Sequence, residues 1–156
     1  MLVAAWEGYL ERLVGEVQQE ITDPGHARLS AVLALFKLIT DREVKYFNTP
    51  NAENARGLLY THTGYDPIND WQWAAGALNG PQCRQRLNEI LRVRHSFAHG
   101  FAIPTDIQWA RHGVTPGKLT VTVLQSVDRF LSHMVKVTDA GMSLHLATVF
   151  GVATGW

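Results

Sequence analysis

The sequence lacks the side chains on which several common classes of protein depend. Cys83 is the only cysteine among 156 residues, so there is no second thiol for an internal disulfide or a cysteine-based zinc site. The net charge is zero, with 14 basic and 14 acidic residues. A neutral chain does not suit non-specific coating of nucleic acid, because that affinity comes largely from neutralising phosphates. Neither a phosphate-cradling glycine loop nor a Ser-His-Asp spacing is present.

Long hydrophobic runs are also missing. The N-terminal segment reaches Glu7 and Glu11 too early for the apolar region of a secretory signal. Residues 140–156 carry no Asp, Glu, Lys or Arg, but they fall short of the roughly 20 apolar residues that a spanning helix needs. We therefore expect no membrane segment and a soluble, cytoplasmic protein, and the single cysteine agrees with a reducing compartment. The length suits one compact domain over residues 1–156.

Apolar residues recur at three- and four-residue steps along much of the chain, which predicts amphipathic helices. The predicted helices cover residues 3–21, 26–46, 52–60 and 81–99, with one more after residue 123. Pro24 and Gly25 stop the first helix, and Gly100 supplies a left-handed residue after residue 99. A short turn over residues 71–78 is predicted with Asp70 as its cap.

Only the stretch LTVTV at residues 119–123 alternates between larger apolar residues and threonines, as a strand does. The sequence therefore does not decide where the last helix begins. Because no strand pattern is long enough to build a sheet, the fold class predicted is an all-α bundle of four to five helices.

One residue interrupts the apolar stripe of the helix at residues 81–99. The stripe predicted to be buried consists of Leu87, Ile90, Leu91, Phe97 and Ala98. Its spacing leads from Leu87 and Ile90 to Arg94, and a buried guanidinium must be paired, must snorkel or must meet an anion at an interface. The first interpretation is an ion pair with Glu89, Asp128 or Asp139. The second is an anionic ligand.

A neighbouring face of the same helix is polar along its length, with Asn88, Arg92, His95 and His99 at steps of four, three and four. Residues 84–112 hold five arginines against two acids, a local charge of +3, whereas residues 1–26 hold one arginine against five acids, a local charge of −4. The candidate RNA-binding residues are Asn88, Arg92, Arg111 and His112. Trp109 is close in sequence to Arg111 and His112 and could stack on a base.

Residues 94–100, RHSFAHG, resemble the R-x4-6-H motif of the HEPN superfamily, whose members are small helical bundles. Residues 5–11, AWEGYLE, look like the first helix of the RiboL-PSP-HEPN branch, and residues 137–139, VTD, are similar to its last helix. The resemblance covers nearly the whole chain, although only the motif itself is specific.

The resemblance implies a metal-independent endoribonuclease of the kind found in toxin–antitoxin, abortive-infection and antiviral defence systems. Arg94 and His99 would be catalytic, with His95 in support, and neither a cofactor nor a metal would be needed. Such domains act on RNA as homodimers through the helix that carries the motif, and they leave a 2′,3′-cyclic phosphate. An arginine that stays charged can hold phosphate oxygens, and a histidine can transfer protons near neutral pH.

Phe101 departs from the pattern of one HEPN group. In toxins controlled by a nucleotidyltransferase the motif extends to R-x4-H-x-Y, and the tyrosine is adenylylated. Phe101 has no hydroxyl, so a protein antitoxin or another regulatory partner is the expected means of control.

Two alternatives remain open at this point. His95 and His99 have a helical spacing that suits zinc, with His112 or His133 as a third ligand, but the glutamate of an H-E-x-x-H motif is absent. The second alternative keeps the bundle without catalysis, as a module that binds nucleotides, RNA or a protein partner.

Overall fold

The structure is a computed structural model that describes residues 1–21, 27–107, 109 and 119–152. Within these residues the regular elements are helices, which confirms the predicted all-α class. The α-helices are α1 (Leu2–Ile21), α2 (Ala27–Tyr46), α3 (Ala52–Thr63), α4 (Gly80–Ala98) and α5 (Val121–Phe150). Two short 3-10 turns, Pro67–Asn69 and Ala74–Gly76, connect α3 to α4. In this part of the chain no helix combines the length and the apolar character needed to cross a bilayer.

Local hydrogen bonds account for most of the helix ends. The side chain of Asn51 accepts from the backbone of Asn54 and begins α3, and Gly64 ends that helix with a φ of 76°. The predicted end of this helix at residue 60 was therefore too early. At α4, Asn79 and Gln82 form a reciprocal capping box, which satisfies two backbone donors at the start of the helix.

The structure decides the start of the last helix, which the sequence left open, and shows that the predicted cap at Asp70 was wrong. The strand-like stretch at residues 119–123 forms no strand, because the Thr120 hydroxyl accepts a hydrogen bond from the Val123 backbone at 3.3 Å and α5 begins at Val121. Asp70 does not cap the turn at residues 74–76, since its carboxylate accepts a hydrogen bond from the Tyr65 hydroxyl at 2.6 Å. The predicted stop of the first helix at residues 23–25 and the start of the second at His26 lie outside the described residues.

The main core lies between α1, α3, α4 and α5, and its largest members are two tryptophans. Trp6 is 2% exposed and donates to the carbonyl of Pro50, and Trp71 is fully buried and donates to the Thr138 hydroxyl at 2.9 Å. Their indoles fill the interior, and both indole N–H groups have hydrogen-bond acceptors. Cys83 is also buried, and burial raises the pKa of its thiol.

A smaller apolar cluster supports the C-terminal half of α4. Val93 packs there with Ile103 and Ile107, which belong to the irregular segment that follows the helix. This cluster holds the chain against α4 just after the sequence RHSFAHG, so it positions the end of the helix on which the candidate residues lie.

Candidate functional site at the end of the fourth helix

The helix α4 ends in a Schellman motif, which brings the candidate histidines to a sharp turn of the chain. Gly100 has a φ of 69°, as the sequence predicted. The backbone N–H of Phe101 donates to the carbonyl of Ser96 at 2.8 Å, and that of Gly100 donates to Phe97 at 3.2 Å. His99 is the last residue before this turn, so its side chain stands at the tip of the helix.

The buried face of α4 differs from the predicted stripe. Leu87 and Ile90 are buried as expected, but the stripe then continues through Val93 and Ser96. Steps of three residues fall roughly 60° short of a full helical turn, so the buried face rotates toward the cluster of Ile103 and Ile107. The rotation leaves Phe97 and Ala98 of the predicted stripe exposed to solvent, together with Arg94, which interrupts the stripe.

Arg94 does not form the predicted ion pair. The carboxylate of Glu89 accepts from the indole of Trp109 at 2.6 Å, and that of Asp139 accepts from the Tyr9 hydroxyl at 2.6 Å. Asp128 is exposed and forms no salt bridge with Arg94. Within the described part of the chain the guanidinium therefore has no acidic partner and stays available to an anion from outside.

Three aromatic side chains line up at the tip of α4. The imidazole rings of His95 and His99 have their centroids 4.3 Å apart, so the two histidines point the same way, as their spacing predicted. The ring of Phe101 stacks on His99 at 6.0 Å with 27° between the planes. All three residues are exposed, and Phe101 retains 64% of its accessible surface. Both imidazoles are thus accessible from solvent.

A groove of about 510 Å³, called the polar groove here because most of its lining residues are polar, runs beside this row. Arg94 and His95 line it from α4, together with Asn88 and Arg92. The opposite wall consists of residues that sequence reasoning did not select: Thr49, Asn51 and Pro104. Only Asn51 carried a signal, because an asparagine just before an apolar helical pattern is typical of a cap. His99 adjoins the groove through its ring contact with His95.

Two of the four predicted RNA-binding residues are engaged within the protein. Arg92 donates two hydrogen bonds to Asp106 at 2.8 and 3.1 Å, and this pairing raises the arginine's pKa. The side-chain oxygen of Asn88 accepts from the backbone of Ala52 at 2.8 Å and so satisfies a donor at the start of α3. Arg111 and His112 lie outside the described residues.

A second groove, of about 580 Å³, is mostly apolar and lies on the other side of Arg94. Leu2 of α1, Phe97 of α4 and Leu124 of α5 line it, and Trp109 contributes as well. The ring of Trp109 packs under the Arg86 guanidinium at 4.6 Å and donates to Glu89, so it is not a free platform for a base. Arg94 therefore lies between the two grooves and lines both of them.

The zinc alternative gains no support from the described residues, among which no group of three or more metal-ligating side chains occurs. His133, one of the two predicted third ligands, has its Nε2 2.8 Å from the carbonyl of Gln72, and its ring stacks on Trp73. His112, the other, lies outside those residues.

Comparison of the chain with protein-family models, with curated proteins and with solved structures gives no match.

Proposed function

We propose that the chain is a metal-independent endoribonuclease of the HEPN type. The observation that carries the proposal is the exposure of Arg94, His95 and His99 together at the end of α4, with the two imidazole centroids 4.3 Å apart. These are the residues of the R-x4-H pattern. The adjoining groove of about 510 Å³ offers space for a nucleotide beside Arg94 and His95.

In the proposed reaction the ribose 2′ oxygen attacks the adjacent phosphorus, and the bond from phosphorus to the 5′ oxygen breaks. One imidazole accepts the proton of the 2′ hydroxyl, and a second donates a proton to the departing 5′ oxygen. Arg94 holds the non-bridging oxygens, on which negative charge accumulates in the transition state. The products are a 2′,3′-cyclic phosphate and a 5′ hydroxyl. His99 is the principal proton-transfer group and His95 supports it.

The proposed active form is a homodimer through α4. Arg94 and His99 are five residues apart, about 140° around a regular helix, so one helix does not aim both side chains at one phosphate. A twofold pair brings His99 of one protomer toward Arg94 of its partner. Phe97 and Ala98 lie exposed beside Arg94, and the apolar groove continues this surface. A contact between two α4 helices would cover these side chains.

The proposal places the enzyme in the cytoplasm as a toxin or antiviral-defence effector that is controlled by a protein antitoxin or regulator. Phe101 supports this form of control, because a phenylalanine provides no hydroxyl for modification at the position where one HEPN group has its tyrosine.

The test is cleavage of a mixed-sequence RNA by the purified protein in the presence of EDTA, with the fragment ends identified. We expect cyclic phosphate ends, and a rate at least about 100-fold lower for Arg94→Ala and for His99→Ala, because each removes a group that acts in the transition state. Arg129→Ala, which removes an exposed arginine of α5, is the matched control and should keep the wild-type rate.

Wild-type rates in both site variants, or complete loss of cleavage on adding EDTA, would contradict the proposal. RNA binding without cleavage by the wild type would instead favour the non-catalytic module.

A further inference from the structure

Two asparagine side chains border the polar groove at the start of α3, and the orientations of their amides are fixed. The side-chain oxygen of Asn51 accepts from the backbone N–H of Asn54 at 2.7 Å, and that of Asn88 accepts from the backbone N–H of Ala52 at 2.8 Å. A backbone N–H can only donate, so in each amide the oxygen faces the helix and the NH2 group is left over. Both residues are half-buried and line the groove.

The NH2 groups of these two amides have no hydrogen-bond acceptor among residues 1–21, 27–107, 109 and 119–152. An amide nitrogen can donate a hydrogen bond but cannot accept one. A ligand in this part of the groove must therefore supply an acceptor, or it leaves the two donors without a partner.

Thr49 adds an acceptor beside these donors. Its hydroxyl donates to the side-chain oxygen of Asn48 at 3.1 Å, so the lone pairs of Thr49 Oγ1 are left for a ligand of the groove that it lines. We call Thr49, Asn51 and Asn88 the amide wall. The amide wall offers two donors and one acceptor, and it carries no charge.

The charges of the groove lie away from the amide wall. Arg92 is paired with Asp106, whereas Arg94 has no acidic partner within the part of the chain that the structure describes. A phosphate is best placed against Arg94, and an uncharged group that both accepts and donates is best placed against the amide wall. A nucleotide has both parts, because its phosphate is charged and its base is neutral with acceptors and donors along its edge.

We propose that the amide wall selects an RNA base in which a carbonyl stands beside a ring N–H, which means uracil or guanine. The carbonyl accepts from the amide NH2 groups, and the ring N–H donates to the Thr49 hydroxyl. Cytosine and adenine have an amino group beside an unprotonated ring nitrogen, so they place donor against donor and acceptor against acceptor. The inference rests on the proposed function, because it takes a nucleotide of RNA as the occupant of the groove.

The experiment measures binding of labelled oligonucleotides of a single base to the full chain by fluorescence anisotropy. They carry fluorine at the 2′ position, so they lack the hydroxyl that the proposed reaction needs and are not cleaved. Oligo-U is compared with oligo-C, and oligoinosine, which keeps the carbonyl and ring N–H of guanine, is compared with oligo-A. We expect a preference of at least about fivefold for oligo-U or for oligoinosine, and the pair that shows it identifies the base.

Asn51→Asp and Asn88→Asp test the donors directly. Each variant keeps an oxygen that accepts from the backbone of α3 and turns the NH2 group into a second oxygen, so the start of the helix is retained and a donor becomes an acceptor. The added charge weakens binding of every oligonucleotide, so the readout is the ratio of affinities within the pair, which should fall to about one in each variant.

Asn48→Asp is the matched control. It adds the same charge close in sequence to Asn51, it does not line the polar groove, and it keeps the oxygen that accepts from Thr49. The ratio of affinities should stay at the wild-type value. Circular dichroism of each variant shows whether it has folded.

Equal or reversed affinities of the wild type in both pairs, or no binding at all, would overturn the inference. A ratio that Asn51→Asp and Asn88→Asp leave unchanged, or that Asn48→Asp lowers equally, would do the same. Failure of the proposed function gives a different result. A wild type that prefers oligo-U or oligoinosine but cleaves no RNA supports the selective wall and contradicts the nuclease, whereas RNA cleavage without any preference in binding contradicts the selective wall alone.

Discussion

At the scale of single residues, two arginines on α4 that the sequence grouped together have different surroundings. Arg92 is held by two hydrogen bonds to Asp106, whereas Arg94 is exposed and has no acidic partner within the described residues. A guanidinium already paired with a carboxylate has less charge to offer a phosphate. The proposed catalytic role therefore belongs to Arg94, although both residues border the polar groove.

The two arginines can be separated by substitution. We expect Arg92→Gln to keep the rate of RNA cleavage within about threefold of wild type, and Arg94→Gln to lower it at least about 100-fold, since only Arg94 is proposed to stabilise the transition state. The measurement is the single-turnover rate on one RNA substrate at saturating enzyme. Equal losses in both variants would indicate a general contribution of positive charge and would argue against a specific role for Arg94.

At the scale of secondary-structure elements, α4 is delimited by strong local signals at both ends. The capping box of Asn79 and Gln82 starts it, and the left-handed Gly100 ends it. The first end lies far from the candidate residues. The second end carries His95 and His99, which are proposed to act in catalysis.

This difference predicts that a substitution at the first end of α4 lowers the stability of the protein without changing its rate of RNA cleavage. Asn79→Ala removes the accepting oxygen at the first end and should lower the free energy of unfolding by about 1 kcal/mol, which corresponds to roughly 2–4 °C in melting temperature for a chain of this length. The rate of RNA cleavage should not change at a temperature where the variant is folded. Thermal denaturation and the cleavage assay together provide the check, and a large loss of activity in a folded Asn79→Ala protein would contradict this division of roles.

At the scale of the whole molecule, the proposed nuclease requires two protomers. Phe97 retains 47% of its accessible surface, and it lines the apolar groove next to Arg94. A ring of this size beside the proposed catalytic arginine fits a surface that is covered in a dimer.

Phe97→Asp should therefore shift the protein from dimer to monomer, because a charge placed in an apolar contact loses its hydration. The rate of RNA cleavage should fall in proportion to the fraction of dimer. Light scattering over a range of concentrations measures the mass, and circular dichroism reports whether the helices persist. A monomeric wild type with full activity would rule out the composite site. Mixing Arg94→Ala with His99→Ala protomers should restore part of the activity, because each mixed dimer contains one intact Arg–His pair.

The amino-acid sequence by itself determined the features that depend on neighbours three to five residues away. The helical class, the left-handed Gly100 at the end of α4 and the common direction of His95 and His99 belong to this group, because helix periodicity and capping are local. The alternating stretch at residues 119–123 left the start of α5 open at the same scale, because threonines and valines suit a strand, and the cap at Thr120 selects the helix.

Only the tertiary structure decided which surfaces are open. Arg94 is exposed because the buried face of α4 turns toward Ile103, and Arg92 is occupied because Asp106 comes within reach from the following segment. The wall of the polar groove at Asn51 likewise depends on how helices pack against one another. Contacts between residues distant along the chain set the burial of a side chain and its partners, and no local pattern contains that information.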